Sequence, residues 1–339
     1  MQSTLQSSIV DIRGADYWRR YVPFLHPDSP APFVETAFHQ FAARTAAGDI
    51  PVKSMLSSYE LALLFALAKD YWSGAGEIVD LGCLYGLTTR CFAEGMRLNN
   101  RVAETAKARR LYAYDLFLAQ DYEWWTDKTL TLHAGSWFPE FLNLNRDRLD
   151  YIVPCPGDLT KMNWGADRPI EILMVDAAKS WDLNQWVVSR MFPRLIPGRS
   201  VVIQQDYMHF AEYWIAITME HFRDYFEPLD FIYGASGVFL AIRPISPEDA
   251  AFDLASLGSD HKKALMDQAI ARASRTGAQV LKTAKAKLLV DLNELDEAKQ
   301  LLETVDPSRD EAAGHGDFSG IADSCATSVK SVIDRLTTR

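Results

Sequence analysis

Acidic residues stand at or just past the ends of five short apolar runs: Asp80 in EIVDL, Asp115 in RLYAYD, Asp158 after DYIVPC, Asp176 in EILMVD and Asp206 in SVVIQQD. A carboxylate at the tip of a buried strand can accept hydrogen bonds from sugar hydroxyls, face an ammonium group or ligate a hard cation. The runs ending at Asp176 and Asp206 read as neighbouring strands, about 4.8 Å apart in a sheet. The two carboxylates then converge with Gln205 beside them, an oxygen set suited to Mg²⁺. A bound cation lowers the pKa of a hydroxyl that it touches. Lys179, three residues after Asp176, can accept the released proton where burial and the cation depress its own pKa. His209 in DYMHFAEYW is the rival base, ahead of His133 and His221. The bland alternatives are a helix cap for Asp176, a solvated amine for Lys179 and a structural imidazole for His209.

The run through Asp80 continues as GCLYGLTTR, with Gly82 and Gly86 four residues apart. A dinucleotide loop reads G-x-G-x-x-G, and its second glycine lets the backbone approach a pyrophosphate. Here Cys83, Leu84 and Tyr85 intervene, so a side chain stands where the pyrophosphate would press. A nucleoside without phosphates fits this loop better, and S-adenosyl-L-methionine is one. Asp80 is placed for its amino group, with Gly82, Tyr85 and Gly86 forming the loop around it. Helix N–H groups near Thr88 and Thr89 suit its carboxylate. Asp115 suits both ribose hydroxyls and Asp158 the adenine, with Asp176 bordering the same site.

To bring these acids to one edge, the apolar runs 77–81, 110–115, 150–155, 171–176 and 200–206 must be parallel strands with helical crossovers. Residues 57–69 open with Ser57 three before Glu60, a capping-box helix start. PLDFIY, GASG and VFLAIRP, residues 228–244, read as an antiparallel edge hairpin. The fold class is therefore α/β, a doubly wound and mostly parallel sheet. Residues 1–55 form an N-terminal segment whose Val34, Ala37, Phe38 and Phe41 repeat at helix spacing. Residues 56–246 form the ligand-binding domain, and residues 247–339 a helical appendage. In that appendage, Ala284 to Leu292 and Leu295 to Leu302 describe two packed helices joined at a short turn, and DPSRDEAAGHGDFSG reads as a loop.

Gly82 and Gly86 in VDLGCLYG, Asp115 in YAYDLF, and Gly157–Asp158 are where the chain resembles class I S-adenosylmethionine-dependent methyltransferases, over roughly residues 56–245. The resemblance implies a seven-stranded Rossmann-like sheet ending in the antiparallel pair. The acid–Gly–xxx–Gly loop followed by Asp115-Leu116-Phe117 is similar to macrocin-type O-methyltransferases. Asp176-x-x-Lys179 with an amide–acid pair at the next strand resembles the metal-dependent catechol and caffeoyl-CoA O-methyltransferases. Carried over residue by residue, that likeness implies Asp176, Gln205 and Asp206 as metal ligands and Lys179 as base. The sequence departs from these patterns in lacking the loop's middle glycine. Its amide also precedes the acid, and it has one carboxylate fewer than the macrocin type.

A formal charge of −10 argues against a nucleic-acid backbone as partner. The longest apolar run, residues 61–68, is far short of the ~20 residues that span a bilayer. The start shows no signal-peptide pattern, and the four cysteines form no CxxC pair, so a cytoplasmic location is expected. The aromatic clusters DYEWWTDK and GSWFPE, with Tyr207, Tyr213 and Trp214, suit either a core with a homodimer contact or an acceptor surface. The resulting expectation is O-methylation of a small molecule or saccharide, with Mg²⁺ as an optional aid. A non-catalytic binding module that recruits a partner through its helical tail is the alternative. A nicotinamide oxidoreductase is disfavoured by the glycine spacing.

Overall fold

The computed structural model describes residues 56–118, 135–164, 168–232, 235–308 and 319–337. The helical pattern at residues 34–41, the DYEWWTDK cluster and His133 lie outside these residues, as does most of the loop expected before residue 319.

The apolar runs form a seven-stranded sheet: β1 (Glu77–Leu81), β2 (Leu111–Asp115), β3 (Ile152–Pro156), β4 (Ile170–Val175), β5 (Val201–Gln204), β6 (Phe226–Ile232) and β7 (Ser236–Ala241). Their spatial order is β3-β2-β1-β4-β5-β7-β6. β1 to β5 pair in parallel, while β7 runs antiparallel to both β5 and β6. This is the mostly parallel, doubly wound sheet that the alternation of strand and helix predicts, with the expected antiparallel pair at one edge. The central strands are apolar on both faces because helices cover both. Ile78, Ile172, Met174 and Ile203 face one helical layer, and Val79, Leu81, Leu173, Val175 and Val202 face the other.

The first layer holds α1 (Ser58–Ala66), α2 (Leu87–Leu98) and α3 (Phe138–Asn145). Ser57 and Glu60 close the expected capping box at the start of α1. The second layer holds α4 (Trp181–Met191), capped by Ser180, and α5 (Tyr213–His221).

Past a one-turn helix at Pro247–Ala250, the appendage comprises α6 (Ser259–Arg272), α7 (Arg275–Asp291), α8 (Leu295–Glu303) and α9 (Ser319–Thr337). The predicted pair is α7 and α8, joined through Asn293 in the left-handed conformation at φ 62°. One side of α7 (Val280, Leu281, Ala284, Leu288) is continuous with the main core, and the other packs on α8 and α9 through Leu289, Ala298 and Val329. The Tyr213 hydroxyl of α5 donates to Asp291 of α7 at 3.0 Å. Among the described residues, no helix is long and apolar enough to cross a membrane.

Candidate functional site

Strand register decides which acids meet. Asp80 pairs with Ala113 on β2 and with Met174 on β4. Asp115 and Asp176 lie two residues further along those strands, and side chains two apart share a face. All three carboxylates therefore stand on the same face at the carboxyl ends of adjacent strands. Asp80 is one step below the other two and feels the charge of both.

Asp80 is fully buried. Its Oδ2 accepts from the hydroxyls of Thr88 at 2.8 Å and Thr89 at 2.6 Å, while Oδ1 has no hydrogen-bond partner among the described residues. Burial pushes its pKa up to about 7 despite the two hydroxyls.

Above it the loop after β1 turns through Gly82 at φ 84° and Leu84 at φ 50°. A Cβ on Gly82 would come within 2.5 Å of the Asp176 carbonyl oxygen, so glycine is required by the approach of β4. The turn aims the Leu84 N–H at Asp115 Oδ2, 2.8 Å away, and the Phe117 N–H reaches Oδ1 at 2.7 Å. Burial nonetheless raises the Asp115 pKa, against the lowering by these N–H groups and by the Trp137 indole.

A cleft of about 490 Å³ opens over this edge, within the range of small-molecule sites. Gly82, Leu84, Asp115, Asp158, Asp176 and Lys179 line it, together with Trp137 and the start of α4 at Ser180 and Asp182. The Trp137 indole N–H lies near enough to Asp115 to favour its anion but closes no hydrogen bond within the described residues. Asp158 caps a short turn, accepting from the Thr160 N–H at 3.0 Å and hydroxyl at 2.7 Å. Lys161 and Thr160 hold its pKa down at about 2.

Three expected contact residues do not line the cleft. Asp80 lies beneath it. Gly86 (φ 93°) caps α2, where a Cβ would strike Phe141 and Asn145. Tyr85 packs edge-on against Trp137, ring centres 5.8 Å apart.

The pair of strand ends expected to hold a metal is built differently. Lys179 Nζ donates to Asp176 Oδ1 at 2.8 Å and also to Asp206 Oδ2, so an ammonium bridges the two carboxylates. Partial desolvation alone would lower the Lys179 pKa, but the two carboxylates more than reverse this and raise it. The depression of the Lys179 pKa that a role as base would need is thus the opposite of what the two carboxylates produce in the ligand-free chain. Asp176 is raised by burial, with Lys179 opposing and Asp206 adding to the rise.

Gln205 is in register beyond Gln204 on the face towards α1, and the Ser236 hydroxyl is 2.5 Å from its Oε1 and 2.7 Å from Glu60 Oε1. One hydroxyl proton serves only one of these. Burial pushes Glu60 up to about 7, so a protonated Glu60 completes the cluster. The donor set does not fit Mg²⁺: both carboxylates hold an ammonium, and the amide oxygen is engaged elsewhere. Among the described residues, no group of three His, Cys, Asp or Glu could hold a metal ion.

His209 Nδ1 is 2.5 Å from Glu212 Oε2. Burial pulls the imidazole pKa down, but Glu212 outweighs it, with Asp206 adding to the net rise.

Sequence reasoning missed the contribution of Trp137. Its aromatic cluster was visible, but nothing local to GSWFPE places that indole beside Asp115.

For S-adenosylmethionine the residues do fit. The cleft offers the glycine turn at Gly82, the Asp115 carboxylate and an indole donor above a buried acid. The indole and one oxygen of that acid have no hydrogen-bond partner among the described residues. No known family model matches the sequence, and no curated protein matches it. Among solved structures the chain is similar to CalS11, a calicheamicin methyltransferase, with a TM-score of 0.39 and 15% identity over 67% of this chain and 93% of that one.

Proposed function

We propose that this protein transfers a methyl group from S-adenosylmethionine to a hydroxyl of a small-molecule or saccharide acceptor. The observation that carries the reading is the stack of Asp80, Asp115 and Asp176 on one face of three adjacent strands beneath a single cleft. When bound, the cofactor supplies a methyl carbon on a positively charged sulfur.

Asp115 receives the ribose hydroxyls with the lone pairs left over from the Leu84 and Phe117 N–H groups, since each carboxylate oxygen has two. Trp137 and Asp158 border the adenine. Buried Asp80 puts negative potential under the cationic end, and proton loss from it accompanies cofactor binding. Lys179 donates to the acceptor oxygen. His209, oriented through Nδ1 by Glu212, does not itself line the cleft and takes the hydroxyl proton at its other ring nitrogen by way of an intervening water. Holding the acceptor oxygen in line with the methyl carbon supplies the remaining acceleration.

Mass spectrometry of the purified protein should find co-purified S-adenosylmethionine or its demethylated product, and labelled methyl should pass to a member of a panel of phenols, alcohols and sugars. No binding of S-adenosylmethionine in calorimetry would overturn the reading. Binding without transfer to any panel member would favour the non-catalytic binding module.

A further inference from the structure

We propose that Lys179 is the resident cation of this cleft: its ammonium takes the place between Asp176 and Asp206 where a divalent metal would be held, and methyl transfer runs without a metal. This inference rests on the methyl-transfer reading above.

An ammonium carries three donors. Two are committed, to Asp176 Oδ1 and Asp206 Oδ2. Lys179 lines the cleft with its side chain 40% exposed, so the third N–H is available to an acceptor oxygen.

The backbone supports this use. The Lys179 N–H closes a tight turn onto the Ala177 carbonyl at 2.8 Å, which brings the side chain back over Asp176. Asp206 adopts the left-handed conformation at φ 60°, one that Asp tolerates better than most residues, and so leaves the alternation of β5. Gln205, expected as a third protein oxygen for a metal, is held by Ser236.

The charge count also differs. Two carboxylates with one ammonium leave a net −1 beside the sulfonium, whereas a dication would cancel it. Mg²⁺ also sheds its waters reluctantly and would meet the repulsion of the ammonium that the two carboxylates already share.

The test is calorimetric titration of Mg²⁺ into the wild-type protein and into Lys179→Met, run beside methyl transfer in excess chelator. The wild type should show no Mg²⁺ binding up to millimolar concentration, and its turnover should change less than twofold between chelator and added Mg²⁺. Lys179→Met should acquire Mg²⁺ binding, and Lys179→Met with Asp206→Asn should lose it again. Submillimolar Mg²⁺ binding by the wild type, or chelator inhibition reversed by Mg²⁺, would overturn the proposal. So would a folded Lys179→Met that binds no Mg²⁺. If Lys179→Met does not fold, the wild-type titration and the chelator assay still decide. Failure of the methyl-transfer reading shows separately, as absent S-adenosylmethionine binding, and leaves the Mg²⁺ titration interpretable.

Discussion

The two ends of the sheet bury the same kind of group and treat it differently. At the amino end, Glu77 on β1 receives Arg110 Nε at 2.5 Å and Arg168 at 3.2 Å. Its neighbour Glu171 on β4 receives the Ser73 N–H at 3.0 Å, the Ser73 hydroxyl at 2.7 Å and the Gly76 N–H at 3.1 Å, with Arg199 3.5 Å away. At the carboxyl end of the same strands, Asp80 keeps an oxygen without a partner among the described residues, and Asp176 shares one lysine with Asp206. Buried carboxylates are costly unless paired. The amino end is thus accounted for by folding alone, whereas the carboxyl end holds acids that a cationic ligand would complete.

The largest effect expected of a single substitution is on stability. Glu171→Ala strips a carboxylate that serves four donors and leaves the Gly76 N–H unpaired in the interior. A loss of about 3 kcal/mol follows from breaking such a buried set, read as a lower urea midpoint with unchanged slope. Affinity for S-adenosylmethionine per folded molecule should not change. A fall in affinity matching the fall in stability would erase the distinction between the two ends.

Asp115→Ala should act mainly on binding, with a smaller stability loss because the Leu84 and Phe117 N–H groups lose their acceptor at the edge of an open cleft. Removing a charged acceptor from ribose hydroxyls costs about 1.5–3 kcal/mol, or roughly 10- to 100-fold in affinity, by calorimetry on a protein whose circular dichroism is unaltered. Affinity that stays within twofold of wild type would remove Asp115 from the ribose site.

How far the sequence reveals each end follows from the kind of signal involved. The strands were legible because parallel strands covered on both faces read as unbroken apolar runs. The acids at their tips were legible because a charge ends such a run. The capping box at Ser57–Glu60 and the pair α7–α8 carry local patterns of three to four residues, and both were readable. α6 buries few apolar residues, Leu265, Met266 and Ala269 among them, so its face is too thin to register.

The bridge from Lys179 to Asp206 depends on a rotamer and on the left-handed turn at Asp206, neither of which spacing encodes. Gln205 was assigned to the cation from its adjacency to Asp206. The register instead places it on the α1 face with Glu60 and Ser236, which lie 145 and 31 residues away in the chain.

The acids also predict a pH dependence. Asp80 titrates at about 7 in the folded chain against the ordinary 3.8, and Glu60 at about 7 against 4.5. Between those limits the folded state holds protons that the unfolded state has released. Stability is therefore full below the lower values and falls as pH rises towards 7, by up to about 1.4 kcal/mol per pH unit for each group. Above 7 the dependence flattens. Urea unfolding of the ligand-free protein at pH 5 and pH 8 should show the loss, and Asp80→Asn should reduce it. A cationic cofactor favours the ionised acids, so its affinity should rise over the same interval, with protons released into the buffer. Cofactor affinity independent of pH from 5 to 8 would disconnect Asp80 from the site.

The smallest expected effect isolates the indole donor at the carboxyl end. Trp137 is buried, packs edge-on against Tyr85 and directs an N–H near Asp115 without closing a hydrogen bond. Phenylalanine keeps an aromatic ring at that position and removes the donor. A buried donor that closes no hydrogen bond among the described residues adds little to folding by its N–H, so Trp137→Phe should leave stability within about 1 kcal/mol of wild type after the loss of ring area. If the N–H is completed by the bound nucleoside, affinity falls by about 1 kcal/mol, or roughly fivefold. In Asp115→Ala the same substitution should cost less, because the ribose that both groups position is already loosened. Equal losses in the two backgrounds would mean that Trp137 and Asp115 act on separate parts of the ligand, and that the indole belongs with the packing of Tyr85 and not with the unsatisfied edge.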